Sequence, residues 1–353
     1  MDSKRCILSF LTLVAVMHVH AECTATPRLG DQEGDQQSEI EGFIRSMDDQ
    51  NDKGKKIELK DFDKLLVGDL AEAEKNLREL LPQAEALEDK SIYIQILSQI
   101  ALAEAVQKKF DSAHATLDRA EKHLGVEHHL AKARVLLERG RVFYQEGNTD
   151  AARPLFIESF ELSEAHGFDY HTINAAHMVP FVAKSAAEKI EWNKRAIELA
   201  EKSNSVEAQQ WLGSLYNNIG QAYLEAEQYT QALAAFNKAL KYREQESYPP
   251  NIRVAKWAVA RTLRLKGQTH EALPILLALL EEYQSMEKTG SFDMPVEMFR
   301  SSRGLVYEEL AEIGGEKSKI YAALAYADLS QDEWFKRLEP ERLERLKLLR
   351  DKK

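Results

Sequence analysis

Acid–base and metal chemistry needs imidazoles, thiols or carboxylates held at fixed spacing, and few stretches of this sequence offer them. His270-Glu271-Ala272-Leu273-Pro274 starts as a zinc-binding helix would, with a carboxylate beside the first histidine. Pro274 stands where the second histidine must project from the same face. His123, His128 and His129 cluster near an expected loop, as either a weak transition-metal site or a solvated turn. Cys23 has no cation nearer than Arg28 to keep its thiol ionised, which argues against a nucleophile. No Gly-x-Ser-x-Gly elbow and no phosphate-cradling loop occurs. Carboxylates are plentiful, but the charged faces of helices account for them. No catalytic constellation and no cofactor site results, so the expectation is a protein that is not an enzyme.

The elements that carry these residues begin with an expected address. Lys4 and Arg5 precede an apolar run from Ile7 to about Val19, and Val19-His20-Ala21 suits a cleavage site. Residues 1–21 therefore read as a secretory signal peptide, too short to span a bilayer. Removing them takes away Lys4, Arg5 and Asp2 and makes the formal charge of −11 one unit more negative. Glu22 precedes Cys23 where a lipid-modified cysteine would follow a small residue. Residues 22–56 are polar and rich in Gln, Asp and Gly, and read as a flexible leader. Within the stretch 49–62, Asp49, Asn51, Gly54, Ile57 and Asp61 resemble an EF-hand calcium loop. Lys53 occupies a ligand position and one extra residue follows the glycine, so a solvated charged loop is the stronger reading. Residues 57–90 read as a degenerate helical unit, with 70–87 as its second helix.

Only 16 Gly and 9 Pro in 353 residues leave little room for the tight turns of a sandwich or barrel, which favours long helices. From residue 91 to about 330 the sequence repeats. A small residue and an alanine stand twelve apart four times, at Ala101 and Ala113, Gly140 and Ala152, Gly220 and Ala232, Ala260 and Ala272. An apolar residue follows each alanine by four: Leu117, Phe156, Phe236 and Leu276. Short residues let two antiparallel helices approach while bulky ones fill the gaps. Each such hairpin buries one side only, so neighbours must stack.

This pattern resembles the tetratricopeptide repeat family, best at Tyr216-x-x-Ile219-Gly220-x-x-Tyr223 followed by Ala232, Phe236 and Ala239. Weaker copies place Ala176 with Trp192, and Gly304 with Tyr307 and Tyr321. Small-residue gaps of 39, 36, 44, 40 and 44 exceed the family's period of about 34, which implies longer helices or links. Pro154 and Pro274 share one repeat position, and Pro180 should disturb a first helix. The resemblance implies an all-α fold: a right-handed α-solenoid of about six antiparallel helix pairs, with a capping helix in 331–353 that carries Phe335, Leu338, Leu343 and Leu346.

In that family the first helices line a concave face. Counting by repeat position, the partner-binding residues here become Arg134, Arg141, Tyr144, His177, Asn217, Gln221, Trp257, Arg261 and Arg264. Ser98 and Leu102 replace the lysine and asparagine of the family's carboxylate clamp, so that specificity is not expected. From Asn251 to His270 there are five cations and no acid. That strip is either ligand-facing or paired with acidic second helices such as Glu281-Glu282. The negative charge argues against nucleic acid. The function expected is a non-catalytic protein- or peptide-binding scaffold, periplasmic or secreted, that takes an acidic, partly apolar segment. A ligand-binding sensory module signalling to a separate partner is the alternative. The oligomeric state is not legible.

Overall fold

The computed structural model describes residues 70–351; the expected signal peptide, the leader, the EF-hand-like loop and the first helix of the degenerate unit lie outside them. Two compact units divide at Leu212 and Gly213, and each is described by itself.

The first unit holds α1 (Leu70–Glu85), α2 (Ser91–Val106), α3 (Phe110–Glu121), α4 (His129–Gln145), α5 (Thr149–Ala165), α6 (Asp169–Met178), α7 (Ala186–Lys202) and the single turn α8 (Val206–Gln209). The second runs from α9 (Leu212–Glu225) through α10 (Tyr229–Glu246), α11 (Pro249–Leu265), α12 (Thr269–Thr289), α13 (Val296–Ile313), α14 (Ser318–Leu329), α15 (Glu333–Leu338) and α16 (Pro340–Asp351). Among the described residues the fold is all-α, and consecutive helices pack as the expected antiparallel pairs.

The turn inside each pair is built the same way four times. The residue seven beyond the small position has positive φ: Lys108 at 61°, Gly147 at 87°, Glu227 at 57° and Gly267 at 85°. The next N–H reaches back to a carbonyl five residues earlier, as in Asn148 to Phe143 (2.8 Å) and Gln228 to Tyr223 (2.8 Å). This helix-ending motif satisfies the last free carbonyls and reverses the chain within three residues. Lys108 and Glu227 accept a left-handed backbone at a cost of about 1 kcal/mol each, which glycine avoids.

The small residues do what their spacing demands. Gly220 lies under the ring of Phe236; a β-carbon there would stand 2.7 Å from that ring. Gly140 lies under Phe156 in the same way, at 2.6 Å. Where alanine holds the small position, leucine holds the bulky one, and Ala101, Leu117, Ala260 and Leu276 are all fully buried. In the last pair Gly304 instead meets Leu329 and Asp328 of α14.

Pro180 breaks the third pair's first helix, as expected: α6 stops at Met178, and a 3-10 turn over Val179–Val182 leads to Ser185, whose hydroxyl caps α7. The first unit's core includes Leu77, Tyr93, Ile100 and Leu117. The second unit's core includes Phe236, Leu279, Tyr283, Val306 and Phe335, so the C-terminal helices join it.

Gly220→Leu should force Phe236 aside and cost on the order of 1–3 kcal/mol by overpacking. A denaturant-unfolding midpoint equal to that of the parent would remove the glycine–phenylalanine contact from the account.

Candidate functional site

On α4, residues four and three apart fall on one face, and Arg134, Glu138 and Arg141 follow that spacing. On α6, Tyr170, Asn174 and His177 do the same. The faces meet in the first unit. Arg141 donates to Glu138 Oε1 (2.7 Å) and to Asn174 Oδ1 (2.6 Å), while Arg134 reaches back to Gln95 Oε1 on α2 (2.9 Å). All of these side chains are buried.

Rings extend the cluster. Tyr144 packs near Phe181, and Phe181 meets the His177 ring edge-on at 5.3 Å. His177 in turn lies 4.9 Å from Trp211, which also packs near Tyr170 at 6.1 Å. Tyr144, Tyr170 and Phe181 are half-buried and present aromatic surface beside the guanidinium groups. Burial pulls the Arg134 guanidinium below its usual range, opposed by Glu138. Burial, helped by the charges of Arg134 and Arg141, holds His171 down at about 3. The arrangement can bind an anion and pack an apolar side chain, and His171 stays neutral within it.

The other expected site residues belong to the second unit. Asn217 and Gln221 are buried on α9. Trp257 is buried on α11 and donates its indole N–H to the Leu305 carbonyl (3.3 Å). Arg261 and Arg264 both bond the fully buried carboxylate of Glu309 on α13, Arg264 at 2.5 Å. Four of the five cations in the basic strip therefore pair within the chain. Arg253 and Lys256 take Asp293 and Glu282, but the last two arginines pair with the next first helix rather than with a second helix. Glu308, beside Glu309, holds Arg342 and Arg345 of α16.

Sequence reasoning missed Phe181, Trp211 and Glu309. Phe181 sits in the Pro180 turn, Trp211 lies between repeats, and Glu309 looked like any surface carboxylate. The histidines of the second linker go different ways. His128 accepts from the Gly125 N–H (2.9 Å), His129 stacks on His166 (3.8 Å) and His123 meets Tyr93 edge-on. No group of three potential metal ligands forms among the described residues. No described helix is long and apolar enough to cross a membrane.

The family model of the tetratricopeptide repeat matches residues 213–246. BtubC (BKLC) from P. vanneervenii is a similar structure at 15% identity and a TM-score of 0.54, over 64% of this chain and 93% of that one. The apo form of RapI is similar at 14% identity and a TM-score of 0.53, over 99% of this chain and 98% of its own. At such identities the likeness is one of fold. No curated protein matches the sequence.

Two predictions follow from the charges. Glu309→Ala leaves two guanidinium groups without their buried carboxylate and should cost about 3–5 kcal/mol in chemical denaturation. The second concerns His171, which is neutral when folded and titrates near 6.5 when unfolded. Its contribution is complete above pH 6.5 and is lost as pH falls toward 3. His171→Gln should flatten the stability slope between pH 6.5 and 5 by up to about 1.4 kcal/mol per pH unit. Equal slopes in parent and variant would contradict a neutral buried His171.

Proposed function

The chain is a tetratricopeptide-repeat protein, and from that premise we propose that it is a non-catalytic scaffold that binds a protein or peptide segment of acidic, partly apolar character. The observation that carries this reading is the first unit's Arg134 and Arg141, set beside the half-buried rings of Tyr144, Tyr170 and Phe181. A guanidinium takes a carboxylate through two parallel hydrogen bonds, and rigid rings supply apolar contact at little entropic cost. A basic segment would meet like charge. Arg261 and Arg264, engaged with Glu309, serve the fold in this reading rather than the ligand.

Export is part of the proposal, supported by the basic start, the apolar run and the small residue at Ala21. Protein taken from its native compartment should have the mass of a chain starting at Glu22. A start at Met1, or a lipid on Cys23, would overturn that part.

Binding is tested with fluorescent acidic peptides that carry one aromatic residue, against basic peptides of equal length. The acidic set should bind, and more weakly at high salt. Tyr144→Ala combined with Phe181→Ala should weaken it about ten-fold or more, with the helical signal of circular dichroism unchanged. Affinity that ignores both salt and the double substitution would place the site elsewhere.

A further inference from the structure

The last two helices complete the core of the second unit. Phe335 of α15 and Leu343 and Leu346 of α16 are buried in one cluster with Leu310 of α13 and Leu329 of α14. Docking them carries the turn between α15 and α16 into the interior, and the residue in that turn is an acid. Glu339 is fully buried. Its backbone is satisfied: the N–H donates to the Phe335 carbonyl (2.9 Å), and the carbonyl accepts from the N–H groups of Arg342 (3.1 Å) and Leu343 (3.3 Å). Its side chain is not, since both carboxyl oxygens are buried and neither has a hydrogen bond. A bare carboxylate is costly in such a place.

The charges around it are committed elsewhere. On α13, Glu308 takes Arg342 and Arg345 of α16, and Glu309 takes Arg261 and Arg264 of α11. Arg345 also pairs with Glu312 of α13 (3.0 Å). Arg342 comes only within 4.0 Å of Glu339 and stands over the Phe335 ring. On α14, Asp328 bonds Arg303 of α13, and Tyr326 lies near Lys347 and Arg350. On α15, Glu333 and Lys336 pair with each other at the surface and Arg337 is exposed. Three buried acids thus share four arginines that two of them already hold. Burial is the largest influence on Glu339 and pushes its carboxyl up to about 7; Glu308 adds to the rise, while Arg342, Arg261 and Arg345 oppose it.

We propose that α15 and α16 form a latch worked by the proton on Glu339, docked on α13 and α14 while that carboxyl is neutral and loosened when it ionises. Once ionised, Glu339 has two ways to find a partner. It can draw Arg342 off Glu308, which strips a buried acid of its own partner, or it can swing the turn out to water. Both weaken the seat of α16. Undocked, the carboxyl returns to its ordinary 4.5. Docking is therefore strongest below pH 4.5, weakens by up to about ten-fold per pH unit as pH rises toward 7, and is steady above that. The only histidine beyond His177 is His270 of α12, exposed beside Glu271, so no buried imidazole of this unit shares the response.

Hydrogen exchange of the full chain, read by mass spectrometry from pH 5 to pH 8 and corrected for the intrinsic rate at each pH, tests the latch. In the parent, the opening of residues 333–351 should rise about ten-fold or more between pH 5 and pH 7, with little further change to pH 8. Helices α9 and α10 of the same unit should keep their protection. Glu339→Gln, neutral at every pH and nearly the same shape, should show no such rise, and neither should Glu339→Met, which removes the acid without adding a donor. Equal protection of 333–351 at pH 5 and pH 8 in the parent overturns the proposal. So does a rise that survives in both variants, or one that α9 and α10 share, because the whole unit and not the latch is then loosening.

Discussion

A volume constraint between residues sixteen apart underlies this architecture. Gly140 lies under Phe156 and Gly220 under Phe236, whereas Ala101 and Ala260 are matched by Leu117 and Leu276. The small residue shrinks by a methyl when the bulky one grows to a ring, so the gap between the helices of a pair is filled at near-constant distance. Protein interiors close to crystal density leave no other solution, since a void loses contacts and an added carbon clashes. The turn that joins each pair then has a fixed job, and its left-handed residue recurs at one repeat position whether that residue is glycine, lysine or glutamate.

A second constraint is electrostatic and confined to the last pairs. Glu308 and Glu309 are adjacent on α13, so they face different neighbours. Glu309 takes two arginines from α11 and Glu308 takes two from α16. Despite burial, which alone would raise it, Arg342 holds the Glu308 carboxyl down near 2, so it is ionised across the ordinary pH range. Glu339, at the start of α16, shows the opposite resolution. Both its carboxylate oxygens are buried without a hydrogen bond, Arg342 comes no nearer than 4.0 Å, and burial pushes it up to about 7. A buried acid either finds a partner or keeps its proton.

Much of the fold was legible because repeats announce themselves by spacing, and spacing survives where residue identity drifts. The four pairs of small residue and alanine, the broken helix at Pro180 and the helical character of the C-terminus could all be placed from the chain alone. The same spacing put Phe236, four residues beyond Ala232, among the bulky residues that fill the gaps, and its ring overlies Gly220. The candidate site was half legible. Position in the repeat picked out Arg134, Arg141, Tyr144 and His177, which lie in one cluster. It could not show that Arg261 and Arg264 have a buried carboxylate of their own, since Glu309 belongs to a different repeat and nothing in its local sequence marks it as interior.

That difference separates two kinds of arginine which the sequence makes look equivalent. A guanidinium bonded to a buried carboxylate is neutralised, and a ligand can reach it only by leaving Glu309 charged and unpaired in the interior. Arg134 bonds the neutral amide of Gln95, and Arg141 divides its bonds between Glu138 and the neutral amide of Asn174. Burial first, and then the charges of Arg134 and Arg141, keep His171 in that cluster neutral far below its usual range. On the proposed reading an incoming carboxylate adds a charged partner beside the one that Arg141 has in Glu138. Arginines at like repeat positions thus serve, on that reading, recognition in one unit and cohesion in the other.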